Sequence, residues 1–244
     1  MDFEAIYNGG YFTGGTSEGY ADYPATEAVL RSEFRQSLSV LRKFHPRALT
    51  LLEIGSAYGY FLDEAKRFFQ CTGVEYSAEA AAQACARGLH VIHGAATREV
   101  IEPLGQFDII AMFDTVEHLP DAAAVIALCA KHLSSDGLLM ITTGDFGSFY
   151  ARASGTSWRL MTPPLHTYYF TRTSMEEISV RNGLRVVSYE HPWKIVPLSL
   201  IIFQLPMLFG FKTSIRAPFL TSKVGLPVNL FDAMRIVFRK QSPV

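Results

Sequence analysis

Five residues near the first fifth of the chain carry the most chemical information. Glu53, Gly55, Ser56, Ala57 and Gly59 follow an apolar run at 49–54 in an E-x-G-x-x-x-G spacing. A carboxylate at a strand end can accept hydrogen bonds from ribose hydroxyls or a cationic amine, and small residues let ligand and backbone approach closely. Glu75 closes a second short apolar segment 22 residues later, the offset at which an acidic side chain reaches a ribose. A dinucleotide fingerprint would need a third glycine where Tyr60 stands, so a pyrophosphate cradle is poorly made. No G-x-x-x-x-G-K-[ST] occurs, which excludes a P-loop. The chemistry indicated is nucleoside binding without a phosphate to hold.

Two further blocks bring proton-handling groups. Phe107 to Asp121 contains Phe113, Asp114, Glu117 and His118, and the stretch after Gly144 contains His166 within P-P-L-H-T-Y-Y-F-T. Histidine suits proton removal near neutrality, so His166 is the first candidate general base, with His118 second. Each can equally be a buried histidine bonded to a nearby carbonyl. His90, His93, His118 and His166 show no ligand spacing on one helix face, so no metal is expected. Gly15 to Gly19 matches the hydrolase elbow G-x-S-x-G, but no apolar strand precedes it, and a serine hydrolase is set aside.

The elements that must position these groups alternate. Apolar spacing predicts a helix over 27–44 and a strand at 49–54. A helix over 59–69, a strand at 71–75 and a helix capped by Ser77 running to about 87 follow. Strands at 89–92, 107–113 and 137–143 flank a helix over 120–133. A helix over 173–182 with Gly183 past its end leads to two last strands, 184–189 and 233–239, expected to pair antiparallel. Strand–helix alternation implies a doubly wound, mostly parallel α/β sheet, Rossmann-like, with ligands at the strand C-termini. A single domain is expected, with a cap at 1–45, a core at 46–190 and 232–244, and a lid-like insertion at 191–231.

Composition limits the alternatives. The chain has 244 residues, 22 basic against 23 acidic, a net charge of −1, which argues against a nucleic-acid surface. Cys71, Cys85 and Cys129 lack C-x-x-C spacing and read as buried free thiols. The start lacks a basic region followed by an apolar core, so a cytoplasmic location is expected. Residues 191–231 hold no acid, and 195–211 is almost wholly apolar but broken by Pro197 and Pro206, too short to span a bilayer. It reads first as a lid over the acceptor pocket and second as a peripheral membrane contact.

These blocks together resemble class I S-adenosylmethionine (SAM)-dependent methyltransferases of the type 11/23 group. The resemblance rests on the E-x-G-x-x-x-G turn, on F-D-x-I…E-H-x-x-D at 107–121, on P-x-H-x-x-x-F-[ST] around His166, and on the lead-in Y-F…G-Y-x-D-Y. It implies a seven-strand sheet and SAM as cofactor, with S-adenosylhomocysteine as product. It implies that Glu53, Gly55, Ser56, Ala57, Gly59, Glu75, Tyr76, Phe113, Asp114 and Tyr23 hold the cofactor, and that Tyr20 or Tyr23 touches the acceptor. Ala95 or Ala96 stands where relatives carry an adenine-binding Asp. A small-molecule or glycan-like acceptor methylated at oxygen is the expected reaction. C- or N-transfer, and a non-catalytic SAM-binding protein, are the alternatives.

Overall fold

A computed structural model describes residues 11–12, 23–197 and 225–241. Tyr20, the G-x-S-x-G match and most of the apolar stretch 195–211 lie outside the described residues.

The central sheet collects β1 (Thr50–Ile54), β2 (Gln70–Glu75), β3 (Val91–His93), β4 (Phe107–Phe113), β5 (Leu133–Gly144), β6 (Leu184–Glu190) and β9 (Ala233–Lys240). Their order is β3-β2-β1-β4-β5-β9-β6. The first five strands pair in parallel, and β9 runs antiparallel between β5 and β6. This is the α/β, seven-stranded Rossmann-like arrangement expected. The parallel strands are apolar at successive positions because both faces are covered. Leu51, Ile109, Leu138 and Met140 face one core with Phe34, Leu38 and Leu41 of α1 (Glu27–Phe44) and Phe61 and Leu62 of α2 (Tyr60–Ala65). Their neighbours Leu52, Ile110, Leu139 and Ile141 face the other core with Ile126 and Cys129 of α5 (Ala122–His132). The remaining α-helices among the described residues are α3 (Ala78–Ala86), α4 (Arg98–Ile101), α6 (Phe149–Ser154) and α7 (Arg172–Arg181), of which α7 adds Met175 to the second core.

Ser77 caps its helix as expected, and the structure adds further N-caps. Ser77 accepts the Ala80 amide, Asp121 the Ala124 amide, and Thr171 forms a reciprocal box with Ser174. α2 is shorter than the helix expected over 59–69. The Phe68 and Phe69 amides both bond the Ala65 carbonyl, so the chain tightens into turns before β2. Cys85 is exposed rather than buried, its thiol against the Val91 carbonyl.

The insertion leaves and rejoins the sheet as a ribbon that the sequence did not suggest. β7 (Lys194–Pro197) pairs antiparallel with β8 (Gly225–Val228), Lys194 opposite Val228 and Pro197 opposite Gly225. Pro197 and Pro227 argue against a central strand, but a two-stranded ribbon has only edges, where a missing N–H is tolerated. No described helix is long and apolar enough to cross a membrane.

Candidate active site

The C-terminal ends of β1, β2 and β4 open into a cavity of about 860 Å³, within the size range of small-ligand sites. The turn after β1 forms its floor. Gly55 (φ +77°), Ala57 (φ +46°) and Gly59 (φ +75°) all take left-handed backbone, and the Gly55 and Ser56 amides bond the Val74 carbonyl at 2.8 and 3.3 Å. Gly55 lines the cavity and is small for a packing reason as well. An added Cβ there would overlap the Thr115 side chain, lying 2.7 Å from its Cγ2. Gly59 does not line the cavity at all. A Cβ would strike Leu89 and approach Ala84 at 3.1 Å, so this glycine serves the packing of the turn against α3 and β3.

The two acids differ in how they are held. Both oxygens of Glu75 are engaged by backbone, Oε2 accepting the Ala57 amide at 2.7 Å and Oε1 the Ser77 amide at 2.8 Å. Burial pushes its carboxyl up, and those N–H bonds oppose the shift. Glu53 is 2% exposed, and its Oε2 has no hydrogen-bond partner. Burial, with the charge of Glu75 beside it, raises its carboxyl well above the usual range. A buried acceptor left open at a cavity wall is costly unless something donates to it.

Around this floor stand Ser56, Ala57, Tyr76 and Phe113, with Gly94, Ala95 and Ala96 along the edge. No acid directly follows Gly94, and among the described residues Thr97 and Arg98 line the same edge. Tyr11, Phe12 and Tyr23 supply an aromatic wall, so the described part of the N-terminal segment does fold over the cavity. Tyr23 is buried and stacks on Tyr60 with rings 5.4 Å apart and nearly parallel. Tyr60 thus fills the core at the first turn of α2, with the Arg31 and Arg87 guanidinium groups over its ring.

A second constellation gathers at the end of β4. Asp114 (φ +47°) donates its amide to the Thr142 carbonyl, accepts the Thr142 hydroxyl at 2.9 Å and pairs with Lys194 at 3.2 Å. Lys194 also meets Glu33 at 3.4 Å. Burial would raise the Asp114 carboxyl, but Lys194 and Thr142 outweigh it and hold it below the usual range. Glu117, 5% exposed, has an Oε2 with no partner, and burial followed by the charge of Asp114 pushes its carboxyl up to about 8.

The stretch 145–171 brings His166 to the same place. Asp232, 2% exposed, binds Arg159 through both oxygens and accepts the Trp158 indole N–H at 2.9 Å. The Glu117 carbonyl accepts the Thr167 amide and hydroxyl at 2.9 and 3.0 Å. His118 and His166 then meet edge to face, ring centres 4.7 Å apart. Each pairs its Nδ1 with a carbonyl, Leu165 at 3.1 Å and Leu160 at 2.8 Å, which assigns the lone pair to Nε2. Burial, then the neighbouring His166, depresses His118 to about 4, and burial depresses His166 as well. His118 lines the cavity, whereas His166 stands behind it. The expectation of no metal rested on helix-face spacing, a rule that does not see groups brought together by a loop. Glu117, His118 and His166 bring one ligand atom each within 4.8 Å of one another through a turn and a long loop, not a helix face. Among the site residues the sequence did not mark are Thr115 and Lys194. Lys194 had a faint signal as a cation in a segment without acids.

Comparison with known proteins agrees with this layout. Residues 27–189 match a family model described as a methyltransferase domain, Methyltransf_23. A ubiquinone biosynthesis O-methyltransferase from Paramagnetospirillum magneticum is 30% identical over 117 residues, 46% of each chain. A probable S-adenosylmethionine-dependent methyltransferase from Mycobacterium tuberculosis is 33% identical over 114 residues, 45% of this chain and 42% of that protein. The chain therefore spans less than half the length of these curated relatives. A SAM-dependent methyltransferase from Archaeoglobus fulgidus superposes with a TM-score of 0.61 at 15% identity, over 88% of this chain and 94% of its own. Magnesium protoporphyrin IX methyltransferase from Synechocystis, solved with S-adenosylhomocysteine, superposes at 0.62 and 10% identity over 98% of both. At such identities the two structures bear on the fold alone.

Proposed function

The chain belongs to the methyltransferase-domain family and is an enzyme of SAM-dependent methyl transfer, and from that premise we propose that its acceptor is a hydroxyl on a small, partly apolar molecule. The observation carrying this reading is that one cavity joins the open carboxylate of Glu53 to the His118 wall, behind which His166 and Glu117 stand. The relatives named for O-methylation support it.

The residues present fit the cofactor. Glu53 and the backbone-held Glu75 are matched by a ribose diol, the Gly55–Ala57 turn by close approach, and Tyr76 by the face of a base. SAM, when bound, supplies a methyl group on a positively charged sulfur. Phe113, Asp114 and Tyr23 line the part of the wall leading toward His118. There the chain has to align an acceptor oxygen, exclude water and manage one proton. Phe34, Leu119 and Leu128 make much of the lining apolar, which suits an acceptor with a hydrocarbon portion. His118 and His166 are the groups placed to manage the proton.

Incubation with methyl-labelled SAM and a panel of phenols, aliphatic alcohols and amines tests the proposal. Methyl ethers are expected by mass spectrometry. Products confined to amines or carbon acids overturn it.

A further inference from the structure

Glu117, His118 and His166 are drawn together by segments 48 residues apart in sequence, and their arrangement is more than proton handling requires. Two imidazoles stand edge to face at 4.7 Å, and one ligand atom from each of the three side chains lies within 4.8 Å of the others. Each ring has its Nδ1 against a backbone carbonyl, the orienting contact that metal-bound histidines use. Glu117 has a buried oxygen with no partner. Asp114 nearby is already bonded to Lys194 and Thr142, so the Glu117 carboxylate is the group left to balance an added positive charge. Both rings are only half-buried, so the cluster keeps an open side.

We propose that Glu117, His118 and His166 bind a divalent transition-metal cation that receives the acceptor's oxygen at an open position. Two nitrogens and one carboxylate suit zinc, cobalt, manganese or iron(II), whereas magnesium and calcium favour oxygen ligands alone. The role toward the acceptor rests on the hydroxyl reading above, while the binding itself does not. With their free ring nitrogens on the cation, His118 and His166 manage the proton indirectly. The acceptor O–H, acidified at the cation, breaks with its electron pair left on oxygen and its proton released to bulk solvent before the site closes on the methyl donor. That pair then forms the bond to carbon, and the carbon–sulfur pair stays with sulfur.

The test uses the full chain without a polyhistidine tag, stripped with a chelator and titrated with Co²⁺. One equivalent and a visible cobalt spectrum are expected for the wild type, with Zn²⁺ displacing it. His118→Ala and His166→Ala should each weaken binding by more than about a hundredfold, since even loss of an orienting contact costs about 10–100-fold. S-adenosylhomocysteine affinity, measured on the same samples, should stay within about threefold and reports that the variants are folded; Glu117→Gln serves where a histidine variant fails that check. Absence of a cobalt complex in the wild type, or equal binding by variants that hold the cofactor product, overturns the metal site. Cobalt bound as expected with no methylation of any hydroxyl leaves the site standing and removes the hydroxyl reading. Hydroxyl methylation that proceeds at full rate in the stripped protein keeps the hydroxyl reading and overturns the cation's role toward the acceptor.

Discussion

The two ends of the sheet treat buried carboxylates in opposite ways. At the N-terminal end, Asp108 at the start of β4 accepts the Leu49 and Thr50 amides at 2.8 and 3.1 Å and the Thr50 and Ser134 hydroxyls at 3.2 and 2.9 Å. Burial would raise its carboxyl, but the Leu49 amide, the Ser134 hydroxyl and Thr50 outweigh it, and the group sits below its usual range. At the C-terminal end, Glu53 and Glu117 are more deeply buried and each keeps an oxygen with no partner, and both are raised. The first end ties β1, β4 and β5 together. The second leaves acceptors open at an electrostatic cost that proton uptake or a donating ligand offsets.

That contrast is breakable at several points. Glu75→Ala should have the largest effect, because it belongs to both categories. Removing it leaves the Ala57 and Ser77 amides without acceptors, at about 1–3 kcal/mol each, and weakens cofactor affinity on the order of ten- to a hundredfold. Urea unfolding and calorimetric titration with S-adenosylhomocysteine read the two losses. Asp108→Ala should lower stability by about 1–3 kcal/mol while changing that affinity by less than about twofold, because its partners lie at the far end of the strands. A large affinity change would erase the distinction between the ends.

Gly55→Ala should cost about 1–2 kcal/mol for the left-handed backbone, with a further penalty from the overlap with Thr115. Adding Thr115→Ala should recover the overlap and not the backbone term, as thermal denaturation would show. The smallest effect is in pH. Since the folded Asp108 carboxyl lies below its unfolded value of about 3.8, its contribution is present above that pH and lost as pH falls through the folded pKa. The stability gap between wild type and Asp108→Asn should therefore shrink below about pH 4.

What could be read in advance follows the same division. Local signals carried the parallel sheet, the caps at Ser77, and the acids Glu53 and Glu75, because each depends on a strand end and its adjoining turn. Gly59, expected at the cofactor, lies off the cavity lining, and a glycine required by Leu89 looks, in sequence, like one required by a cofactor. The β7–β8 ribbon was hidden by prolines that only an edge tolerates. The meeting of Glu117 and His118 with His166 depends on how Asp232 and the Glu117 carbonyl anchor a long loop, which no spacing rule encodes. Lys194 reaches Asp114 across 80 residues for the same kind of reason.

The central claim is that the open carboxylate of Glu53 is kept for the cofactor rather than for the fold. Its raised carboxyl adds stability at low pH that is lost as pH rises, so a neutral replacement should not destabilise the chain above neutrality. The decisive measurement is titration calorimetry of Glu53→Gln with S-adenosylhomocysteine at pH 8, paired with urea unfolding of the free protein. The account predicts at least about tenfold weaker binding with stability equal to or above wild type. Wild-type affinity, or a loss of stability with binding intact, would contradict it.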